Sequence, residues 1–269
     1  MRASRLVSIA TASALAVSGA GLPGRAQAPA PANTGNPAGG AFILWSGDGM
    51  DDEHYRISDW EIPGDWIDSG FSPSNVRFRD GRLHLSLTKR RYESKAHSGA
   101  EFMRKGFYGY GRYEVIMRGI AAPGVVSSFF IHTHGQFDDP HEEIDIELLG
   151  DNPRQLHLNN YREGQSGGPV KVDLPFDFSA GEHLYAFEWR HDSIKWFVDG
   201  VQVHEARTNI PRATSRPIIN VWSAGRDGYD WIGKPVFRSG VAAIYRCMSH
   251  VPAGQAGPQC GDRFAPPSR

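Results

Sequence analysis

From Phe42 onward the chain alternates apolar and polar residues in short runs separated by turn residues, and no long stretch carries helical periodicity. The run 82–88 alternates strictly. The runs 193–198 and 201–204 flank Asp199-Gly200, a spacing that predicts a β-hairpin with a type I′ turn. Many short strands with such turns predict an all-β sandwich or jelly roll, because βαβ folds need helical segments between their strands.

The segment 143–149 combines this alternation with an unusual set of polar residues. Glu143, Asp145 and Glu147 stand at alternate positions. The positions between them carry Ile144, Ile146 and Leu148. A period of two with β-branched residues predicts a strand buried on its apolar side, so the three carboxylates should share the opposite face and look into a groove or into water.

Three carboxylates on one strand face suit glycoside hydrolysis, which needs one carboxylic acid to protonate the leaving oxygen and a second carboxylate to attack the sugar or activate water. Cα atoms four residues apart in a flat strand are roughly 13 Å apart. Strand curvature must therefore bring the carboxyl groups of Glu143 and Glu147 to about 5 Å for a retaining reaction. Asp145 between them would raise at least one pKa by repulsion, as a general acid requires. A solvated acidic face, or a cation site made of the same oxygens, is an alternative interpretation of this spacing.

The residues around these carboxylates resemble the active-site region of glycoside hydrolase family 16. The segment 143–147 is similar to the family motif E-I-D-x-E, and the resemblance extends from about residue 60 to residue 235. The segments 108–114, 125–130 and 143–150 resemble the lichenases, the bacterial endo-β-1,3-1,4-glucanases. The motif lacks the extra residue that laminarinases and agarases of the family usually carry before the last glutamate.

This resemblance implies a β-jelly-roll sandwich of two antiparallel sheets with a concave substrate cleft. It also implies a retaining endo-β-glucanase that hydrolyses β-1,4 bonds in mixed-linkage β-1,3-1,4-glucan. The matched motif makes Glu143 the nucleophile, Asp145 its hydrogen-bonded helper and Glu147 the acid/base. The predicted substrate-binding residues are Glu101, His141, Asn159, Tyr161, Trp222 and Trp231. Carboxylates and amides bind sugar hydroxyls and aromatic rings stack on sugar faces, although a Trp in a sandwich, such as Trp222, is as often part of the core.

Two positions depart from the lichenase pattern. Lichenases have a tryptophan where this chain has His141, and an arginine where it has Met103, with Arg104 one place on. His141 is similar instead to the xyloglucan-active members and to relatives that cleave bacterial exopolysaccharides. The alternative within the family is therefore a succinoglycan-type exopolysaccharide endo-glycanase or a transglycosylase. The alternative from another class is a non-catalytic carbohydrate-binding module.

No cofactor is required, because two carboxylates suffice for the reaction. Members of the family often hold a structural Ca²⁺ with backbone oxygens and an aspartate on the last strand. Gly81 matches one backbone position, but 241–246 contains no aspartate, so a structural Ca²⁺ is left as an alternative that lacks its expected ligand. His132, His134 and His141 match no zinc motif, so we predict cleft-lining or surface histidines and no metal site.

The charge balance narrows the range of partners. The chain of 269 residues carries 29 basic and 30 acidic side chains, so it has no net field that would recruit nucleic acid or an anionic membrane. We expect a β-glucan polysaccharide as the partner and a monomeric enzyme.

The N-terminus has the pattern of an export signal. Arg2 and Arg5 precede an apolar run that is too short to span a membrane. The tripeptide 26–28 resembles a cleavage site, with cleavage after Ala20 as the alternative. We therefore expect a secreted or periplasmic protein. The predicted organisation is a signal peptide at 1–28, a Pro/Ala/Gly-rich linker at 29–41, a catalytic jelly roll at 42–250 and a C-terminal tail at 251–269.

Export would permit a disulfide between the two cysteines of the chain, Cys247 and Cys260. Closing so short a loop would stabilise the fold by about 3 kcal/mol in the chain-entropy account. Two free thiols are the alternative.

Overall fold

The computed structural model describes residues 39–133 and 140–266. The predicted signal peptide, residues 29–38 of the predicted linker and His134 lie outside them. The strands within the described residues are, in chain order, β1 Phe42–Trp45, β2 Tyr55–Ile57, β3 Trp60–Glu61, β4 Ser69–Phe71, β5 Val76–Arg79, β6 Arg82–Leu87, β7 His97–Arg104, β8 Gly111–Arg118, β9 Val125–His132, β10 Glu143–Leu149, β11 Gln155–Arg162, β12 Gln165–Ser166, β13 Val170–Asp173, β14 His183–Trp189, β15 Ile194–Val198, β16 Val201–Ala206, β17 Arg216–Ser223 and β18 Val241–Pro252. The helical segments are single turns: Ser46–Asp48, Pro73–Asn75, Arg226–Gly228 and Cys260–Arg263 are 3₁₀ and Tyr229–Ile232 is α.

Two sheets form a sandwich. The back sheet has the order β16-β15-β14-β8-β18-β6-β5, with β1 beside β18. The front sheet has the order β12-β11-β10-β9-β17-β7-β4-β3, with β13 beside β11 and β2 beside β7. The neighbouring strands run antiparallel, except that β4 runs parallel to β7. The all-β jelly-roll-like sandwich predicted from the sequence is confirmed.

The main hydrophobic core fills the space between the sheets. Its residues include Ile144, Ile146 and Leu148 of β10, Phe129 and Ile131 of β9, and Tyr113, Tyr185 and Phe187 of the back sheet. Burying an aliphatic side chain such as Ile144 or Leu148 contributes about 1.5–3 kcal/mol to the stability of the fold. The alternation read from 143–149 therefore fixes which face of β10 turns inward.

The predicted hairpin turn is confirmed. Asp199 and Gly200 have φ of 48° and 82°, and both central residues of a type I′ turn need positive φ. The turn joins β15 to β16, which pair antiparallel. The local sequence was sufficient here because a tight turn depends on its own two residues.

The last strand continues to Pro252, and the residues after it stay attached to the sandwich. Cys247 of β18 forms a disulfide with Cys260, with Cα atoms 5.7 Å apart. Cys260 is fully buried beside Ile116 and Leu184 of the back sheet. The predicted boundary at residue 250 thus falls inside β18. No helix in the described ranges is both long enough and apolar enough to cross a membrane.

Candidate active site

The strand β10 lies within the front sheet between β9 and β11 and carries the three predicted catalytic carboxylates on its outward side. We call this side of the front sheet the carboxylate face, defined by Glu143, Asp145 and Glu147. These residues are at most 5% exposed. A solvated acidic strand face is therefore not what the structure shows. Burying carboxylates is costly unless each finds a hydrogen-bonding partner, so their neighbours matter.

The strand register brings most of the predicted binding residues onto the same face. Tyr161 and Asn159 of β11 stand opposite Glu143 and Asp145. On the other side, Ser128 of β9 stands opposite both Glu147 and Asn220, and Asn220 stands opposite Glu101 of β7. Residues directly opposite one another in an antiparallel sheet share a face. One row of side chains therefore crosses four strands from Glu147 to Glu101.

At the Glu143 end, the partner is His141. Its Nε2 lies 2.7 Å from Oε2 of Glu143, and its ring stacks on that of Tyr161 with centroids 4.8 Å apart. When Nε2 carries its proton it donates to the carboxylate and favours the ionised, nucleophilic form. His132 of β9 stands opposite Glu143, and its ring centroid lies 5.1 Å from that of His141. The predicted binding residue His141 thus contacts the predicted nucleophile itself.

At the Glu147 end, the partner is His157, which the sequence analysis missed. His157 of β11 stands opposite Glu147, and its Nδ1 lies 2.9 Å from Oε2. Trp231 packs edge-on against His157 with ring centroids 5.3 Å apart, and Trp222 lies 6.1 Å from Trp231. Both tryptophans belong to a separate apolar cluster on this face, so Trp222, which is 5% exposed, forms part of a wall rather than of the main core.

Asp145 lies between the two glutamates. Its pKa is raised well above the usual range, first by burial, then by the charges of Glu143 and Glu147, and by a hydrogen bond with Glu143. A protonated Asp145 can donate to Glu143, which is the geometry of a helper to a nucleophile. Beneath it, Trp196 of the back sheet donates from Nε1 to the backbone carbonyl of Asp145 at 3.1 Å, which ties the centre of β10 to the other layer.

Glu101 is predicted to bind substrate, but the structure places its carboxylate in an internal network. Ser58 donates to Oε1 at 2.7 Å, and the side-chain amide of Asn220 lies 3.4 Å from Oε2. Burial raises the pKa of Glu101, and hydrogen bonds from Ser58 and Asn220 oppose that shift. Ser128 in turn donates to Asn220. The network links Glu101 to the neighbour of Glu147, and a direct contact with substrate stays a prediction.

Asn159 keeps an unused donor. Its Oδ1 accepts from the backbone of Asn160 at 2.9 Å and from Ser166 at 2.8 Å, which fixes the amide orientation. Among the described residues, its Nδ2 and the Oδ2 of Asp145 have no hydrogen-bond partner although both atoms are buried. Two unsatisfied polar atoms on opposite residues of the carboxylate face are suited to a sugar hydroxyl.

The departures from the lichenase pattern have clear structural outcomes. Met103 lies on the carboxylate face in a small apolar cluster with Phe130 and Ile218. Arg104 does not take the place of the missing arginine, because its guanidinium lies 4.9 Å and 4.8 Å from the ring centroids of Phe42 and Tyr55. The carboxylate face is therefore apolar at the position of Met103, where the lichenase pattern has an arginine.

His157 and Glu142 were missed for different reasons. His157 could have been found by counting residues across the β10–β11 hairpin, which pairs it with Glu147. Glu142 could not, because its carboxylate accepts from the backbone N–H groups of Arg212 and Ala213, about 70 residues later in the chain. This contact holds the segment before β17 against the start of β10.

The strand that was expected to carry the family's calcium-binding aspartate offers no acidic ligand there. The segment of β18 that would carry the aspartate presents buried Ala243 and Ile244 instead. Beside it, Arg82 and Arg246 share the single carboxylate of Glu182, with Arg246 Nε 3.3 Å from Oε2. Two guanidinium groups around one carboxylate disfavour Ca²⁺ at Glu182.

Comparison with known proteins gives one consistent result. The sequence profile described as Glycosyl hydrolases family 16 matches residues 64–235. A beta-glucanase of Acetivibrio thermocellus is 35% identical over 207 residues, which cover 75% of this chain and 61% of that protein. The chain therefore spans less than two thirds of that relative. A beta-glucanase of Bacillus licheniformis is 39% identical over 199 residues, covering 73% of this chain and 79% of the relative.

Solved structures agree. A lichenase derived from a mouse hindgut metagenome superimposes with a TM-score of 0.75 at 32% identity, covering 79% of this chain and 99% of that one. The Bacillus licheniformis beta-glucanase superimposes with a TM-score of 0.74 at 32% identity, covering 79% of this chain and 98% of that one. A laminarinase catalytic domain of Thermotoga maritima, at 19% identity and a TM-score of 0.69 over 80% of this chain and 98% of that one, shares the fold alone.

Proposed function

This chain belongs to glycosyl hydrolases family 16, and we propose that it is a retaining endo-β-glucanase that cleaves β-1,4 bonds in mixed-linkage β-1,3-1,4-glucan. The observation that carries the proposal is the carboxylate face. Glu143 and Glu147 stand on one strand, each beside its own histidine, with an acidic group of raised pKa between them. The relatives named beta-glucanase and lichenase support the choice of substrate.

In the first step, an oxygen of Glu143 attacks the anomeric carbon as the bond to the leaving sugar oxygen breaks. Glu147 gives its proton to that oxygen, and a covalent glycosyl-enzyme remains. His157 suits this step, since an imidazole that donates from Nδ1 to Oε2 of Glu147 leaves Oε1 to carry the transferred proton.

In the second step, Glu147 takes a proton from water, whose oxygen attacks the anomeric carbon from the face that the leaving group occupied. The bond to Glu143 breaks and its carboxylate returns. A protonated Asp145 that donates to Glu143 helps the carboxylate leave, because the hydrogen bond stabilises the developing negative charge. Two inversions give net retention.

Substrate contacts come from the rest of the face. The unused amide donor of Asn159 and Oδ2 of Asp145 suit sugar hydroxyls, and the rings of Tyr161, Trp222 and Trp231 suit sugar C–H faces. The apolar surface at Met103 and the histidine at 141 favour a linkage preference that is less strictly mixed-linkage than that of lichenases. A succinoglycan-type exopolysaccharide is the second candidate substrate for this reason.

The proposal places the enzyme outside the cytoplasm, either secreted or periplasmic, and acting as a monomer. The N-terminal sequence pattern and the disulfide between Cys247 and Cys260 support export, since disulfides persist in oxidising compartments. A single chain supplies every residue of the proposed site. The polysaccharide is the only partner that the proposal needs.

The test is product analysis by mass spectrometry after parallel incubation with mixed-linkage glucan, laminarin, carboxymethylcellulose, xyloglucan and succinoglycan. Short oligosaccharides from mixed-linkage glucan support the proposal, and products from succinoglycan alone would move the substrate to the second candidate. Products longer than the starting chains would indicate transglycosylation. Binding without any product from wild-type protein, matched by Glu143→Gln, would contradict an enzymatic role.

A further inference from the structure

Two histidines and the predicted nucleophile converge at one end of the carboxylate face. Ligand atoms of His132, His141 and Glu143 all lie within 4.8 Å of one another. His132 and Glu143 are buried, and the side chain of His141 is 22% exposed, so the group is reached from one side. The sequence spacing alone matched no metal motif, because His132 and Glu143 meet through the pairing of β9 with β10.

Strand pairing and a ring contact fix the positions of these groups. His132 and Glu143 are directly opposite residues of paired strands, and the ring of His141 is held by stacking on Tyr161. Bonds of about 2.1 Å to a tetrahedral ion place its ligand atoms about 3.4 Å apart. Nε2 of His141 and Oε2 of Glu143 need to separate slightly from their 2.7 Å contact, and side-chain rotation supplies such a shift.

The donor types select the class of ion. Two imidazole nitrogens and one carboxylate oxygen suit borderline divalent ions such as Zn²⁺, whereas Ca²⁺ and Mg²⁺ prefer oxygen ligands throughout. Three protein ligands leave a fourth position open.

We propose that His132, His141 and Glu143 form an inhibitory site for Zn²⁺ and similar divalent transition ions. The bound ion withdraws the carboxylate electron pair of Glu143 from the anomeric carbon, so turnover stops until the ion leaves. This consequence rests on the proposed role of Glu143 as the nucleophile. The binding of the ion does not.

Binding is tested first, without reference to activity. Co²⁺ is added to the Glu147→Gln variant, which retains all three ligands, and the visible absorption of the bound ion is recorded. Adding His132→Gln, or separately His141→Gln, should weaken Co²⁺ binding by more than about tenfold, since even loss of an outer-shell partner costs that much. The matched control is His54→Gln, which removes a histidine from the exposed group Asp51, Glu53 and His54. Near-ultraviolet circular dichroism verifies that each variant is folded.

Inhibition is tested second. Zn²⁺ should inhibit the wild-type protein reversibly, with activity restored by a chelator, and the concentration for half inhibition should rise by more than about tenfold in His132→Gln but not in His54→Gln. Equal sensitivity of His132→Gln and wild type, or no Co²⁺ binding by folded Glu147→Gln, would overturn the proposal. Co²⁺ binding that depends on His132, with no inhibition by Zn²⁺, would support the site and contradict Glu143 as the nucleophile instead.

Discussion

The two ends of β10 carry the same pair of groups, a glutamate and a histidine, in different surroundings. At one end His141 comes from the segment that leads into the strand, and its side chain is 22% exposed while that of Glu143 is fully buried. At the other end His157 comes from the neighbouring strand, and its side chain is 4% exposed beneath Trp231. The partner of the proposed nucleophile is thus partly exposed, while the proposed acid/base and its partner are enclosed together.

This difference in exposure fits the proposed roles of Glu143 as the nucleophile and Glu147 as the acid/base. A nucleophile must be ionised, and a partly exposed histidine can exchange protons with water beside it. An acid/base must hand its proton to one atom of the substrate, so a buried partner that fixes its orientation is an advantage. In this proposal the same type of residue pair serves two roles, because one histidine lies in the segment before β10 and the other lies on the neighbouring strand.

The largest expected effect separates the two glutamates. Glu143→Ala and Glu147→Ala should each lose about 10³-fold or more in kcat on polysaccharide. Added azide with an activated aryl glycoside should rescue both, with opposite stereochemistry. Azide takes the place of the missing nucleophile in Glu143→Ala and gives the α-azide after one inversion. It attacks the glycosyl-enzyme in Glu147→Ala and gives the β-azide after two. The same anomer from both variants, identified by NMR, would contradict the assignment.

The next effect distinguishes the two histidines. His157→Gln and His141→Gln should each lower kcat by about tenfold, the equivalent of one hydrogen bond of about 1.4 kcal/mol. The loss in His157→Gln should be larger for poor leaving groups, because that variant disturbs proton donation. The loss in His141→Gln should not depend on the leaving group. Kinetics on aryl glycosides of graded leaving-group acidity measure this, with His54→Gln as the control.

A smaller effect concerns the residue between the two ends. The pKa of Asp145 is raised when the protein folds, so this residue's contribution to stability is complete below the ordinary value of 3.8 and is lost as the pH rises toward the raised pKa. The free energy of unfolding should fall by at most about 1.4 kcal/mol per pH unit in that window. Asp145→Asn imitates the protonated form and should lack this decline.

Urea unfolding at several pH values measures the difference between variant and wild type, which should grow in favour of Asp145→Asn as the pH rises. Asp173→Asn changes an exposed carboxylate of β13 and is the matched control. A difference that stays constant with pH would mean that Asp145 is not held protonated by its neighbours.

The smallest effect on catalysis is expected from the disulfide, which is remote from both ends of β10. Replacing Cys247 and Cys260 together by alanine should lower the free energy of unfolding by about 3 kcal/mol. At temperatures where the variant stays folded, kcat and its dependence on the leaving group should match wild type. A lower kcat, or a changed dependence on the leaving group, would contradict this expectation. It would mean that the back sheet controls the geometry of β10 more strongly than the hydrogen bonds between the two sheets indicate.

The prediction from sequence was strongest where a property depends on neighbouring residues. The alternation in 143–149 gave the inward face of β10, and Asp199-Gly200 gave the type I′ turn, because both follow from local backbone geometry. The family resemblance supplied Asn159 and Tyr161, which the register then placed opposite Asp145 and Glu143.

The prediction was weakest where a property depends on pairing between distant segments. The sequence did not indicate that the carboxylate of Glu101 is hydrogen-bonded to Ser58 and Asn220, whereas its contact with substrate stays a prediction. The histidines were set aside as metal ligands because their spacing along the chain matched no motif, and it is the pairing of β9 with β10 that brings His132 opposite Glu143, beside His141. Spacing along the sequence can identify metal ligands that lie on one helix, strand or loop. It cannot identify ligands that meet because two distant strands pair.

The sequence by itself determined that Glu143, Asp145 and Glu147 share one strand face, since side chains alternate along any strand. Only the tertiary structure decided that each glutamate has its own histidine and that Asp145 is buried between charged neighbours. It also decided that Trp196 of the back sheet holds the carbonyl of Asp145. The physical reason is that charge and burial depend on what stands opposite and above a residue, and that is set by strand register and by the packing of one sheet on the other.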